Sequence, residues 1–311
     1  MDVNRLRLLL ELSRRGTITA VAEALTYTPS AVSQQLAVLE REAGVPLLER
    51  AGRRVALTPA GVVLSRYAES VVAVLEEAES ALAATREHLA GPLRIGAFPT
   101  AARTVLPPAL VTLGRDHPGL ELMVTELDPS AVPGALRSGA VDVAITSDYD
   151  YVPAEPDPAI EVAPLLEETV YLASAAAAPG GPVTRIDDCR EAPWIAGSPG
   201  SMCHALVVRA CQVAGFTPRV RHIADDFATV LVLVGAGQGV SLIPELGLAA
   251  TRAPGEEPAV ASAGVTLTPL DTRRRTGVAC RRGTASHPAV AAFATAIQES
   301  AASRRPATLR R

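Results

Sequence analysis

One stretch, from Thr58 to about His88, constrains this 311-residue chain more than any other. After the start signals Thr58, Pro59 and Gly61 it holds no further proline or glycine. Within it Ala60, Leu64, Tyr67, Val71, Val74, Ala78, Ala81 and Thr85 recur by alternate steps of four and three. That spacing predicts a single long helix whose apolar seam needs a partner helix, the alternative being packing against its own domain. The chain is too long for one compact core, and this helix divides it. A segment of about 58 residues precedes it, residues 59–90 form the linker, and a larger segment of residues 91–302 follows.

The first segment reads as three short helices and a hairpin. Leu6, Leu9, Leu10 and Leu12 lie at helical spacing between Asn4 and Arg14, and Gly16 supplies a stop. Thr17 or Thr19 caps a second helix through Val21, Ala22 and Leu25, and Thr26 and Tyr27 form a turn. Thr28 is the N-cap and Pro29 the first residue of the third helix, because proline has no N–H to leave unpaired there. Val32, Leu36 and Leu39 share one face, which turns Ser30, Ser33, Gln34, Ala37 and Arg41 outward. Small and amide-bearing residues near an N-terminal turn suit entry into a DNA major groove, with Gln34 against an adenine edge and the serines on phosphate; an ordinary solvated surface is the plain alternative. Val45 to Leu57 then reads as two strands around a turn at Ala51 and Gly52. Arg50, Arg53 and Arg54 on that wing are placed to neutralise phosphates.

The run TPSAVSQQLAVLEREAGVPLLERAGRRVALTPAG resembles the DNA-binding region of LysR-type transcriptional regulators, helix by helix and through wing and linker. The resemblance implies that Thr28, Pro29, Ser30, Ser33, Gln34 and Gln35 read DNA while Arg50, Arg53 and Arg54 contact its backbone. Many members carry arginine where this chain has Gln34, so adenine rather than guanine readout is expected there. It further implies double-stranded promoter DNA and RNA polymerase as partners, and a homodimer or homotetramer. The implied fold class is α/β: an N-terminal all-α winged helix-turn-helix plus linker helix, followed by a two-lobed periplasmic-binding-protein-like α/β effector domain.

The larger segment supports the same architecture on its own residues. Leu93 to Phe98, Leu120 to Glu126 and Val141 to Thr146 read as strands, with helices after Pro99 and over Ala131 to Arg137, the alternation of a parallel sheet. A crossover near Leu165 to Ala173 leads to a second set: strands at Trp194 to Gly197, Arg219 to Ile223 and Gly239 to Pro244, and helices from Ser201 and Asp226. Thr276 to Arg281 and a helix after Pro288 return to the first set. Lobe one is expected over about 91–164 and 271–302, lobe two over about 165–270, with two hinge connections and a cleft between. Thr100, Ala101, Ser147, Ser198, Ser201, Met202 and Phe227 are the expected cleft residues, with Thr100 capping its helix and hydroxyls and helix amides holding a small-molecule effector such as a carboxylate. Plain helix capping explains the hydroxyls equally well.

Composition removes other classes. The N-terminus lacks the apolar core and cleavage site of a signal peptide, and the charge-free run Phe227 to Pro244 is interrupted by glycines, so a cytoplasmic protein that does not span a membrane is expected. Cys189, Cys203, Cys211 and Cys280 form neither a CxxC pair nor a zinc spacing, so no metal, cofactor or disulfide framework is expected. All 29 cationic side chains are arginine, and residues 1–60 carry +2 of a total of −4. Cys203 at a helix N-terminus, with Cys211 two turns on, is the basis for a rival reading as a thiol-based redox sensor. An enzyme or a cytoplasmic small-molecule-binding protein is the rival from another class. His88, His117, His204, His222 and His287 form no known catalytic constellation, and no catalytic residues are assigned. The arginine-bearing tail, residues 303–311, is expected to be disordered.

Overall fold

Local capping signals set the first four helices. The computed structural model describes residues 1–51, 54–85, 88–176, 183–249 and 264–303. Helix α1 (Val3–Arg15) starts where the Asp2 carboxylate accepts from the Asn4 and Arg5 amides and stops at Gly16, whose φ of 69° no ordinary side chain adopts freely. Helix α2 (Ile18–Leu25) is capped by Thr17 rather than Thr19 and ends at Thr26, a non-glycine residue at φ 59°. Helix α3 (Pro29–Ala43) begins on Thr28, whose hydroxyl accepts from the Ala31 amide at 3.2 Å, and ends at Gly44. Val21, Ala22, Val32, Leu36 and Leu39 close on the leucines of α1 to form the first core.

Strands β1 (Leu48–Ala51) and β2 (Arg54–Leu57) pair antiparallel with Ala51 opposite Arg54, which puts the turn one residue later than expected. Helix α4 (Pro59–Ala84) is capped by Thr58, whose hydroxyl accepts from the Gly61 amide at 3.1 Å and donates to the Pro46 carbonyl at 2.8 Å. The helix ends at Ala84, a turn short of the expected His88, with Thr85 as its cap and residues 86 and 87 outside the described residues. The first seam residues, Ala60 and Leu64, pack on the first core, but Tyr67 and Val74 are 69% and 61% exposed, so the rest of the stripe is not spent on the chain's own domain.

Next come β3 (Ala90–Ala97), α5 (Pro99–Arg103), α6 (Leu106–Asp116), β4 (Gly119–Glu126), α7 (Val132–Ser138) and β5 (Val143–Tyr149). Strand β6 (Ile160–Ala175) leaves this group for β7 (Pro193–Ala196), α8 (Met202–Val213), β8 (Arg219–Ile223), α9 (Phe227–Gly235), β9 (Ser241–Pro244) and α10 (Glu245–Ala249). Strand β10 (Val265–Arg281) returns to end in α11 (Pro288–Ser303). The main sheet runs β4-β3-β5-β10-β6-β9. Lobe one is therefore mixed and not purely parallel: β3 lies parallel to β4 and β5, whereas β10 is antiparallel to β5 and β6.

The two crossovers are whole strands, longer than the short pieces expected at 165–173 and 276–281, and they pair with each other along almost their full length. Their register shifts between Pro269 and Arg273, where the lobes meet. Among the described residues no helix is long and apolar enough to cross a membrane. The tail from residue 304 lies outside them.

Candidate functional site

The outward face of α3 carries Ser30, Ser33, Gln34, Gln35 and Ala37, all exposed, while Val32, Leu36 and Leu39 on the opposite side are essentially inaccessible. Gln34 has no partner among the described residues, so its whole amide edge is available. Gln35 differs, because its Oε1 accepts from Arg5 Nε at 2.8 Å, which leaves it only its donor side. Glu40, on the same helix, accepts from the Leu47 and Leu48 amides at 2.9 and 3.0 Å and so ties the wing to the helix. Of the wing arginines, Arg53 lies outside the described residues, as do the side chains of Arg50 and Arg54.

The second site is a cavity of 420 Å³ between the lobes, a size suited to a small organic molecule. Of the expected cleft residues it gathers Thr100, Ser147, Ser198, Ser201, Met202 and Phe227. Ala101 is not among them. It is fully buried in the core of lobe one, because one step along α5 turns a side chain through about 100° and away from the cavity that Thr100 lines. Nor is Thr100 a cap: Phe98 holds that position without a side-chain bond, and Thr100 is 5% exposed with its hydroxyl accepting from Arg274 Nη2 at 3.3 Å. Ser201 is a cap, accepting from the His204 amide at 3.2 Å, and Asp226 caps α9.

Sequence reasoning missed the floor of this cavity. Arg274, 2% exposed, pairs through Nε with Glu168, 5% exposed, and its guanidinium lies 4.8 Å from the centre of the Phe98 ring. Glu168 also accepts from the Leu246 amide at 2.5 Å. Burial works against the Arg274 charge, but the carboxylate of Glu168 outweighs it and the pKa is raised. Arg274 and Glu168 stand on the two crossover strands, so the ion pair sits at the hinge itself. Nothing in the run Thr272–Thr276 marks the middle arginine as the buried one.

Hydrogen bonds close the cleft from lobe to lobe. Arg103 Nη1 donates to Asp226 at 2.6 Å. Asp128, beside β4, accepts from the Met202 amide with both carboxylate oxygens at 3.2 Å. The helix-terminal amide expected to hold a ligand carboxylate is thus taken by the chain's own aspartate. Cys203 faces the cavity 3.9 Å from the Tyr149 hydroxyl, and burial pushes its thiol pKa up, against the partial pull of Arg274 and Tyr149.

Charged side chains join the N-terminal segment to lobe one. Glu11 of α1, 4% exposed, accepts from Arg15 at 2.7 Å and from Arg137 of α7 at 2.8 Å. Asp157 takes both Arg137 and Arg14, and Glu76 of α4 takes Arg7 at 3.1 Å and Arg281 at 3.3 Å.

Residues 3–62 match the family described as "Bacterial regulatory helix-turn-helix protein, lysR family", and residues 86–302 match "LysR substrate binding domain". A probable hydrogen peroxide-inducible genes activator of Mycobacterium avium is 31% identical over 246 residues, covering 77% of this chain and 76% of that protein. A hydrogen-peroxide-bound cysteine mutant of Corynebacterium glutamicum OxyR shares 26% identity and superposes with a TM-score of 0.56 over 97% of this chain and 95% of that one. Full-length CbnR complexed with its target DNA shares the fold, at 22% identity and a TM-score of 0.50 over 96% of this chain and 100% of that one. With a DNA-binding helix-turn-helix ahead of a two-lobed effector-binding part, this chain belongs to the LysR family of bacterial transcription regulators.

Proposed function

We propose a division of labour in which residues 1–58 grip double-stranded promoter DNA, residues 59–90 pair two copies, and residues 91–302 respond to a small molecule seated between the lobes. The carrying observation is the polar face of α3, exposed along Ser30, Ser33 and Gln34 on a helix whose other face is locked into a core. Thr28 and Pro29 present its first turn, Gln34 reads a base edge, and Gln35, held by Arg5, uses its donor side. Arg50, Arg53 and Arg54 supply the phosphate contacts that give salt-dependent affinity. Thr100, Ser147, Ser198, Ser201, Met202 and Phe227 contact the effector. RNA polymerase is the partner through which promoter occupancy becomes transcription, and the cytoplasm is where these components meet.

Ser33→Ala combined with Gln34→Ala should abolish preference for the chain's own upstream promoter region over random duplex. Fold and oligomer should be unchanged, since both side chains are exposed. Fluorescence anisotropy across a salt series measures this, and an unaltered specificity ratio would remove α3 from the interface. A carboxylate effector, as helix-terminal amides imply, would have to displace Asp128 from the Met202 amide.

A thiol-based sensor is the second reading, favoured by the place of Cys203 in the cavity wall beside Tyr149 and Arg274. Its raised pKa works against it, because the thiolate is the reactive form. Alkylation of Cys203 at neutral pH no faster than that of an unactivated thiol would remove this reading.

A further inference from the structure

Six charged side chains line the cavity: Arg103, Arg274, Glu126, Asp128, Asp225 and Asp226. Both cations are already spent, Arg103 on Asp226 and Arg274 on Glu168 behind it. Glu126, Asp128 and Asp225 remain with no cationic partner among the described residues. Asp225 accepts from the Ser198 amide at 2.7 Å and hydroxyl at 2.5 Å, and Asp128 from the amides of Ser130 and Met202; these are dipoles, which orient a carboxylate without cancelling its charge. Glu126 has neither kind of partner. A second observation lies in the same wall. Ser147 is 6% exposed and lines the cavity, and its hydroxyl has no hydrogen bond among the described residues, so it is open to a partner from within the cavity. Around these groups stand Leu127, Tyr149, Met202 and Phe227, an apolar lining with aromatic rings to face a cation.

We infer that the effector is an organic cation, an amine carried on a compact apolar body, and not an anion. The inference rests on the cavity being the effector site. The ammonium lies among Glu126, Asp128 and Asp225, where its charge completes a surplus of negative groups, and it donates to Ser147. A carboxylate would enter beside three like charges and find the α8 amide already occupied.

The test is calorimetric titration of the full chain with matched probes: benzylamine, benzyl alcohol and benzoate, then cyclohexylmethylamine and cyclohexanecarboxylate. The amines should bind, the alcohol more weakly and the carboxylates not at all. Glu126→Gln and Asp128→Asn should each weaken the amines about tenfold. Glu126 has no partner to lose, and asparagine keeps the cap on Ser130, so both variants should fold. Ser147→Phe fills the cavity and should abolish binding. Carboxylates that bind more tightly than amines, and are blocked by Ser147→Phe, would overturn the inference and leave the effector site standing. Amine affinity indifferent to both acidic variants would overturn it as well. If no probe bound at about 10 mM, the inference and the cavity as effector site would fall together.

Discussion

Arg274 and Glu168 are among the least accessible charged side chains in the molecule, and each is tolerable only because of the other. Removing one partner leaves a charge out of water with nothing to answer it. Arg274→Met should therefore cost about 3–5 kcal/mol of stability, while Arg274→Met combined with Glu168→Gln should cost distinctly less. Urea denaturation of the three proteins measures this, and equal losses would mean that the pair contributes no coupling. Such a pair is illegible in sequence because its members are 106 residues apart and each lies in a run of like charges, Glu167 and Glu168 or Arg273 to Arg275. Ala101 fails for a different reason. The sequence locates the short helix after Pro99, but which way each residue points depends on where the first turn starts, and that start is two residues earlier than a cap at Thr100 predicts.

At the scale of elements, legibility follows how local the causes are. Helices α1 to α4 start within a residue of their expected places because each start is written in a side chain that caps its own amides: Asp2, Thr17, Thr28 and Thr58. Strands β6 and β10 are legible only in part, since Pro164, Pro269 and the charged residues Asp271 and Arg273 to Arg275 break the alternation that marks a strand. Those stretches are held extended by each other, a long-range cause. The apolar seam of α4 is the element proposed to pair with another copy. Tyr67→Asp with Val74→Asp, both exposed in a single chain, should leave the fold intact and weaken operator binding by at least about tenfold through loss of the second half-site. Sedimentation velocity should show monomers; an unchanged dimer would place the interface elsewhere.

Across the whole molecule, ion pairs join the helix-turn-helix to lobe one, and Arg137 is their centre, bound at once to Glu11 and Asp157. Arg137→Ala should let the two parts melt separately, replacing a single calorimetric transition with two, and high salt should have less effect on the variant than on the parent. An unsplit transition would mean that packing of α2 on α7, and not charge, holds the parts together. The contact at Gly61 limits what such coupling can do. A methyl group on that residue would collide with the Leu47 carbonyl oxygen, and the Thr58 hydroxyl bridges the same corner. The wing, α3 and the first turn of the long helix therefore move as one piece. In the arrangement proposed above, two copies joined along that helix would behave like calipers with a fixed gap: a molecule admitted between the lobes would have no means to respace the jaws of one pair, and its influence would fall on how successive pairs are laid along the duplex.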